Sequence, residues 1–412
     1  HGGINYTEDG IRYLRGQSVT EQGLEFIDER YISIEDHTRM IRAEVIPGDV
    51  LLTIAGSIGN CCVVRGVERA NINQAIVKIR PSVSIDSDYL SIFLNSRYGK
   101  FQINRLANGA VQLNVNFTEV GDIQVVVPSL EIQSSLVAEI EAARQIKTQK
   151  LAQADKLLSN LDVYLLDLLG LSITQESDRG VFAIRVSQIR SKLDSYSNQP
   201  RFRRLFQNLQ SHQLPVKKLK FIATDIFSGI TPRSGGDAYT NQLEGIPFVR
   251  SGEITKDGMV SDNNAIFIKP EIHDVLMRRS QLQEGDLLIA IVGATIGSVG
   301  VYNRTTPANI NQAIAVVRLD SSLVLPNFAR WFLSSPIGQS ILDYFKRPVA
   351  RANINLEEIG EIPILIPSLE IQRSVVEQIE RTRLEMRKLR QEAETNWEAA
   401  KTLFEQRLLG EK

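Results

Sequence analysis

Amide and guanidinium side chains recur along this chain at positions suited to reading the edges of DNA bases. Asn and Gln can make paired hydrogen bonds to adenine and Arg to guanine, whereas contacts from Lys and Arg to phosphate position a protein without reading sequence. The positions come in two sets: Arg15 and Gln17 with Arg250 and Ser251, and Asn108, Gln112, Asn114 and Asn116 with Arg347, Arg351, Asn353 and Asn355. Arg233 and Lys346 complete the candidate DNA-binding set of Arg15, Gln17, Asn108, Gln112, Arg233, Arg250, Ser251, Lys346, Arg347 and Arg351. A third pair, Asn71, Asn73 and Gln74 with Asn309, Asn311 and Gln312, lies in identical Ala-Asn-Ile-Asn-Gln-Ala segments. For that pair a role in shape is the better reading. Asn supplies turns and caps, and two readers of different sequences should differ where they touch bases. Divergent loops, such as Asn5 to Glu8 against Asp237 to Gln242, suit specificity better.

Chemistry of other kinds finds little support. The histidines are His1, His37, His212 and His273, with no H-E-x-x-H and no metal-ligand spacing. His37 and His273 precede equivalent strands and read as structural. The loops Gly56 to Gly59 and Gly293 to Gly297 follow strands, yet neither makes G-x-G-x-x-G, and no Walker A lysine loop occurs. No motif that holds a flipped base for methylation and no nuclease-type acidic pair with Glu-x-Lys is present. The expectation is a recognition protein with no catalytic residue, metal or cofactor. Cys61 and Cys62 lie together in an apolar run and read as inert core thiols of a reducing compartment.

The elements that must position these side chains are duplicated. Gly48-Asp49-Val50-Leu51-Leu52-Thr53-Ile54 matches Gly285-Asp286-Leu287-Leu288-Ile289-Ala290-Ile291, and Asn114, Gly121, Ile123 and Pro128 match Asn353, Gly360, Ile362 and Pro367. So wide a spacing marks a duplicated domain, since solenoid repeats are far shorter. Short β-type runs are expected at Val50 to Ile54, Cys61 to Val64, Ile76 to Ile79 and Ile123 to Val127, with one short helix near Tyr89 to Arg97 and another near Leu325 to Ser334. Ile11 to Arg15 pairs with Ile246 to Arg250. On that register Val181 to Gly235 has no counterpart ahead of His1, which predicts an incomplete start to the first domain.

Each copy ends in Pro-Ser-Leu-Glu-Ile-Gln, at Pro128 to Gln133 and Pro367 to Gln372. Ser129 and Ser368 are placed to cap helices, and Glu131 and Glu370 complement the helix dipole. Apolar residues then recur at three- and four-residue steps, from Ile132, Leu136 and Ile140 to Leu165 and Leu168, and from Ile371, Val375 and Ile379 to Phe404 and Leu408. Each stripe predicts a helix of about 40 residues, roughly 60 Å long, ending at Leu-Leu-Gly. The two stripes suit packing on each other as an intramolecular coiled coil.

The chain has 412 residues, 43% of them hydrophobic, and a net charge of −1, enough for more than one core but no polycation. The halves differ: residues 1–128 hold 12 Lys+Arg against 15 Asp+Glu (−3), and residues 181–367 hold 21 against 16 (+5). Local basic patches are then Arg201, Arg203 and Arg204; Lys217, Lys218 and Lys220; and Lys346, Arg347 and Arg351. No apolar run is long enough to span a membrane, and the cytoplasm is the expected compartment.

With these motifs in view, the chain resembles the specificity (S) subunit of Type I restriction-modification systems. The resemblance implies an α+β chain of two tandem target-recognition domains, each followed by a long helix, the helices pairing as an antiparallel coiled coil. Its boundaries would be 1–128 for an N-terminally incomplete first domain, 129–170 for the first helix, 171–180 for a linker, 181–367 for the second domain and 368–410 for the second helix. It further implies a non-catalytic subunit in which each domain reads half of a bipartite site on double-stranded DNA. The helices would serve as a spacer and would dock methyltransferase (M) subunits that bind S-adenosylmethionine; restriction (R) subunits would join, and no membrane is involved. The competing expectation is a coiled-coil scaffold without DNA recognition.

Overall fold

The computed structural model describes residues 4–107, 114–171, 180–184, 194–233, 236–255, 257–263, 265–346 and 352–410. The chain divides into two compact units, residues 1–154 with 387–412 and residues 155–386, so the division falls within both long helices. The linker expected at 171–180 lies mostly outside the described residues.

In the first unit a five-stranded sheet runs in the order Tyr6–Thr7, Tyr31–Ile32, Ile11–Leu14, Ala70–Ile72, Glu44–Val45. One pairing is parallel, setting Tyr13 against Asn71 and Leu14 against Ile72. A second, antiparallel sheet joins Ile76–Ile79, Val50–Thr53 and Cys61–Val63. Val50–Thr53 and Cys61–Val63 are buried throughout, which is why they read as continuous apolar runs. Burial pushes the Cys62 thiol up to about 12 and raises Cys61 further, as expected of inert core thiols.

Two helices, Ser87–Asn95 and Arg97–Leu106, complete this core through Tyr89, Phe93, Leu94 and Ile103. The sequence pattern predicted one. Ser96 interrupts the first helix with extended backbone, and its hydroxyl caps the second by accepting from the Gly99 N–H. Gly99 is required because a Cβ there would stand 2.5 Å from the Phe93 and Leu94 carbonyl oxygens. The second unit repeats the corner: Pro326–Ser334, then the Ser335 cap, then Pro336–Phe345 with Gly338 at the close approach.

The second unit repeats both sheets. Tyr239–Thr240, Ile266–Ile268, Ile246–Val249 and Asn309–Ile310 form one, with Phe248 parallel to Asn309 and Val249 to Ile310. Ala223–Ser228, Ile314–Leu319, Leu287–Ala290 and Val299–Val301 form the other. Here Pro363–Leu365 pairs with Val216–Lys218. The corresponding Ile123 to Val127, expected as a strand, enters no ladder among the described residues.

The repeated Gly-Asp motif contributes a buried carboxylate to each second sheet. Asp49 receives a two-pronged pair from Arg80, Nε to Oδ1 at 2.6 Å and Nη2 to Oδ2 at 2.7 Å, and Arg318 holds Asp286 likewise at 2.8 and 2.8 Å. Burial alone would raise the Asp49 carboxyl, but the Arg80 fork and the Ile46 N–H more than offset it, and it lies below the usual carboxylate range. The sign for stability follows. The folded value is depressed, so the pair stabilises the fold above the unfolded carboxylate pKa near ~3.9 and ceases to as pH falls through the lower folded value. Acid unfolding of Asp49→Asn should therefore be shallower than that of the wild type below about pH 4; equal slopes in a pH series of denaturant midpoints would contradict this.

The long helices span Leu130–Leu168 and Leu369–Leu408. Ser129 and Ser368 accept only long bonds, at 3.5 and 3.4 Å, from the Ile132 and Ile371 N–H groups. The firmer anchor is a glutamine. Gln133 and Gln372 are fully buried, and each amide joins the helix start to the α+β domain. Gln372 donates to the Leu323 and Pro367 carbonyls at 3.0 and 2.9 Å and accepts from the Leu325 N–H at 2.8 Å; Gln133 does the same with Ser84, Pro128 and Asp86. Both helices end before a left-handed glycine, Gly170 at φ 62° and Gly410 at φ 73°.

Within the first unit the helix portions run antiparallel. Glu139 pairs with Arg407, Lys147 with Glu394 and Lys150 with Glu392, while Trp397 stacks on Arg144 and Lys147. Leu136, Ile140, Phe404 and Leu408 enter the domain core. The apolar stripe is only partly covered, since Ile132, Ile146 and Leu158 are exposed.

Candidate nucleic-acid interface

In each unit the chain leaves the parallel strand pair into a short turn that carries predicted DNA-contact residues. In the first unit Arg15 precedes the turn Gly16–Ser18, the Asn73 N–H donates to the Leu14 carbonyl at 3.0 Å, and Gly16 lies against Ala55 and Ala75. Ala55 pairs with Asn114 across an isolated bridge. Thus Arg15, Gln17, the glycine loop, Asn73, Gln74 and Asn114 converge on one edge. The second unit builds the same edge: Arg250 precedes Ser251–Glu253, the Asn311 N–H donates to the Val249 carbonyl at 3.1 Å, and Val292 bridges to Asn353.

The Asn-Ile-Asn-Gln segments divide by residue. Asn71 is buried, its Oδ1 2.6 Å from His37 Nδ1 and its amide donating to the Met40 carbonyl at 3.0 Å. Asn309 repeats this with His273 at 2.5 Å and Met277 at 2.8 Å. Since the amide nitrogens are committed as donors, both His Nδ1 atoms carry the proton. These pairs tie each strand to the short helical segment that carries its His, as the shape reading expected. Asn73 and Asn311 cap their own turns through the Ala75 and Ala313 N–H groups. Gln74 and Gln312 are exposed at the edge, with Gln312 accepting from the Thr231 hydroxyl.

The other predicted residues fall as follows. Gln17 and Arg233 are exposed, and Ser251 is half-buried. Arg15 donates to Asp28, and Arg250 is gripped by Glu253 through Nε and Nη2 at 2.9 and 2.7 Å. Lys346 lies over the glycine loop, its Nζ 3.2 Å from where a Cβ on Gly297 would stand and 3.9 Å from Asp343. Asn108, Gln112, Arg347 and Arg351 lie outside the described residues. Glu253 stands three residues after Arg250, a signal the sequence offered; Asp28, thirteen residues after Arg15, is brought close only by the sheet.

The glycine loops act through backbone shape. Gly56, Gly59, Gly293 and Gly297 all have φ between 77° and 91°, a region that side chains disfavour. Of the basic patches, Lys218 and Lys220 both reach Glu361, and Arg201 pairs with Asp343 at 3.0 Å. Two clefts of the second unit, 860 and 930 Å³, flank the helix Pro200–Gln210 and are not lined by the glycine loop. Among the described residues no group of three or more His, Cys, Asp or Glu could hold a metal, and no helix is long and apolar enough to cross a membrane.

Residues 224–394 match the family model described as the Type I restriction modification DNA specificity domain. Over 137 residues the chain is 34% identical to the Type I restriction enzyme EcoBI specificity subunit of Escherichia coli, a match that covers 33% of this chain and 28% of that protein's length. A solved structure described as the basis of complex assembly and conformational transition of the type I R-M system contains a chain of the same fold. The TM-score is 0.59 at 16% identity, covering 99% of this chain and 93% of that one.

Proposed function

Because the chain carries a Type I restriction modification DNA specificity domain over residues 224–394, we propose that it is the DNA-reading, non-catalytic subunit of a Type I restriction-modification complex. Each unit reads one half of a bipartite site on double-stranded DNA. The long helices set the spacing and dock methyltransferase subunits, restriction subunits join that assembly, and the cytoplasm is where it works. The observation that carries this reading is the edge built twice, Arg15 and Gln74 in one unit and Arg250 and Gln312 in the other, beside a glycine loop. Polar, forked side chains on loops held by a rigid sheet are what base readout requires. Chemistry on DNA would then belong to the partners.

Lys346, Arg347 and Arg351 are assigned to phosphate. Their joint replacement by alanine should weaken binding to all duplexes by a similar factor and reduce the salt slope by up to about three. Fluorescence titration of short duplexes over a salt series measures this. Unchanged slope, or a loss confined to one sequence, would contradict the assignment.

A further inference from the structure

The first unit contains a carboxylate placed against the very guanidinium assigned to base reading. Arg15 Nη2 donates both to Asp28 Oδ2 and to the Asp28 carbonyl, each at 2.9 Å. Nη2 is the nitrogen shared by the two forked edges of a guanidinium, one with Nε and one with Nη1. While Asp28 is in place, neither edge of Arg15 can make the paired bonds that guanine O6 and N7 accept. Asp28 also holds Arg30, whose Nη2 lies 3.3 Å from Oδ1.

The setting suits release rather than permanence. Asp28 is 53% exposed, and exposed ion pairs are weak and salt-sensitive. Its backbone is left-handed at φ 52°, the one such non-glycine position among the described residues. Strain of that kind persists where the surroundings or function require it. The second unit differs: Glu253, which grips Arg250, is 7% exposed at its side chain and bound into the turn it closes, accepting from the Arg250 N–H.

We propose that Asp28 is a specificity-determining residue of the first unit, a displaceable internal carboxylate that keeps Arg15 from phosphate and yields it to a neutral base edge. The physical reason is the sign of the competitor. A phosphate drawn to Arg15 brings a second negative charge beside Asp28, whereas a guanine edge brings two acceptors and no net charge. Asp28 therefore penalises sequence-independent capture more than the specific contact. Arg30 retains the carboxylate when Arg15 lets go. The inference rests on the proposed role of Arg15 in DNA reading.

The test compares wild type with Asp28→Asn, using the full chain with its methyltransferase partner, on a selected duplex and on an unrelated one across a salt series. Asn tolerates the left-handed backbone, so the loop is preserved. Affinity for the unrelated duplex should rise about fivefold and its salt slope should steepen by about one, while affinity for the selected duplex changes less. In an Arg15→Ala background the substitution should raise unrelated binding markedly less. Unchanged or weaker unrelated binding by Asp28→Asn would overturn the proposal, as would an equal gain in the Arg15→Ala background. Wild-type protein that binds no duplex at low salt would overturn the DNA reading itself, and this shows before any variant is compared.

Discussion

Replacing Gln372 by alanine should destabilise the second unit by about 3 kcal/mol, because one deletion removes the partner of three backbone groups, one of them in a buried bond and two in part-buried ones. The Leu323 and Pro367 carbonyls and the Leu325 N–H all depend on that amide, and the side chain is fully buried. A cavity adds to the cost. The effect should be local as well as large: the Leu325 amide, which has lost its acceptor, should exchange hydrogen far faster. Gln133→Ala should do the same at the Asp86 amide in the first unit. Thermal unfolding and amide exchange measure both, and a melting temperature within about a degree of wild type would show that the clasp is dispensable. The functional consequence is specific. On the proposed function, a helix whose start is unfastened would no longer hold its domain at a fixed place along DNA.

The second large effect concerns recognition. Exchanging residues 181–350 for those of a relative with a different second half-site should change one half of the preferred DNA sequence and leave the other intact. Each mismatched base pair costs roughly 1–3 kcal/mol, so a half-site mismatched at three positions should bind the exchanged protein at least about a hundredfold more weakly. The exchanged segment carries Arg233, Arg250, Ser251, Lys346 and the glycine loop together with their two sheets, so most of the edge moves together while Asn353 stays behind. Equal loss of both halves would refute modular reading.

Much of this architecture could be read from residue order, for identifiable reasons. The long helices announce themselves through a period near 3.6 and through Pro-Ser-Leu-Glu-Ile-Gln, and their observed bounds, Leu130–Leu168 and Leu369–Leu408, follow that pattern. The duplication made identical positions comparable, which is how Asn71 and Asn309 could be assigned to shape ahead of their bonds to His37 and His273. Other features were hidden because they depend on contacts distant in sequence. The parallel pairing of Ile11–Leu14 with Ala70–Ile72 leaves no local signature. The helix break at Ser96 needed the Gly99 close approach to be recognised as a corner. The Gln repeated in both helix openings read as part of a start signal, whereas the Gln133 amide is a clasp reaching 49 residues back to Ser84. The carboxylate partners of the candidate readers were not read from residue order: Glu253 stands three residues from Arg250, whereas Asp28 is brought to Arg15 only by the sheet. Asn108, Gln112, Arg347 and Arg351 remain assignments from sequence.

The central claim, that two units read two halves of one DNA site, is tested most directly by selection from random duplex DNA with the full chain and its methyltransferase partner. The account predicts a split motif, two short specified segments at constant spacing. Recovery of a single uninterrupted motif, or of none at low salt with a folded complex, would contradict it and favour a coiled-coil scaffold.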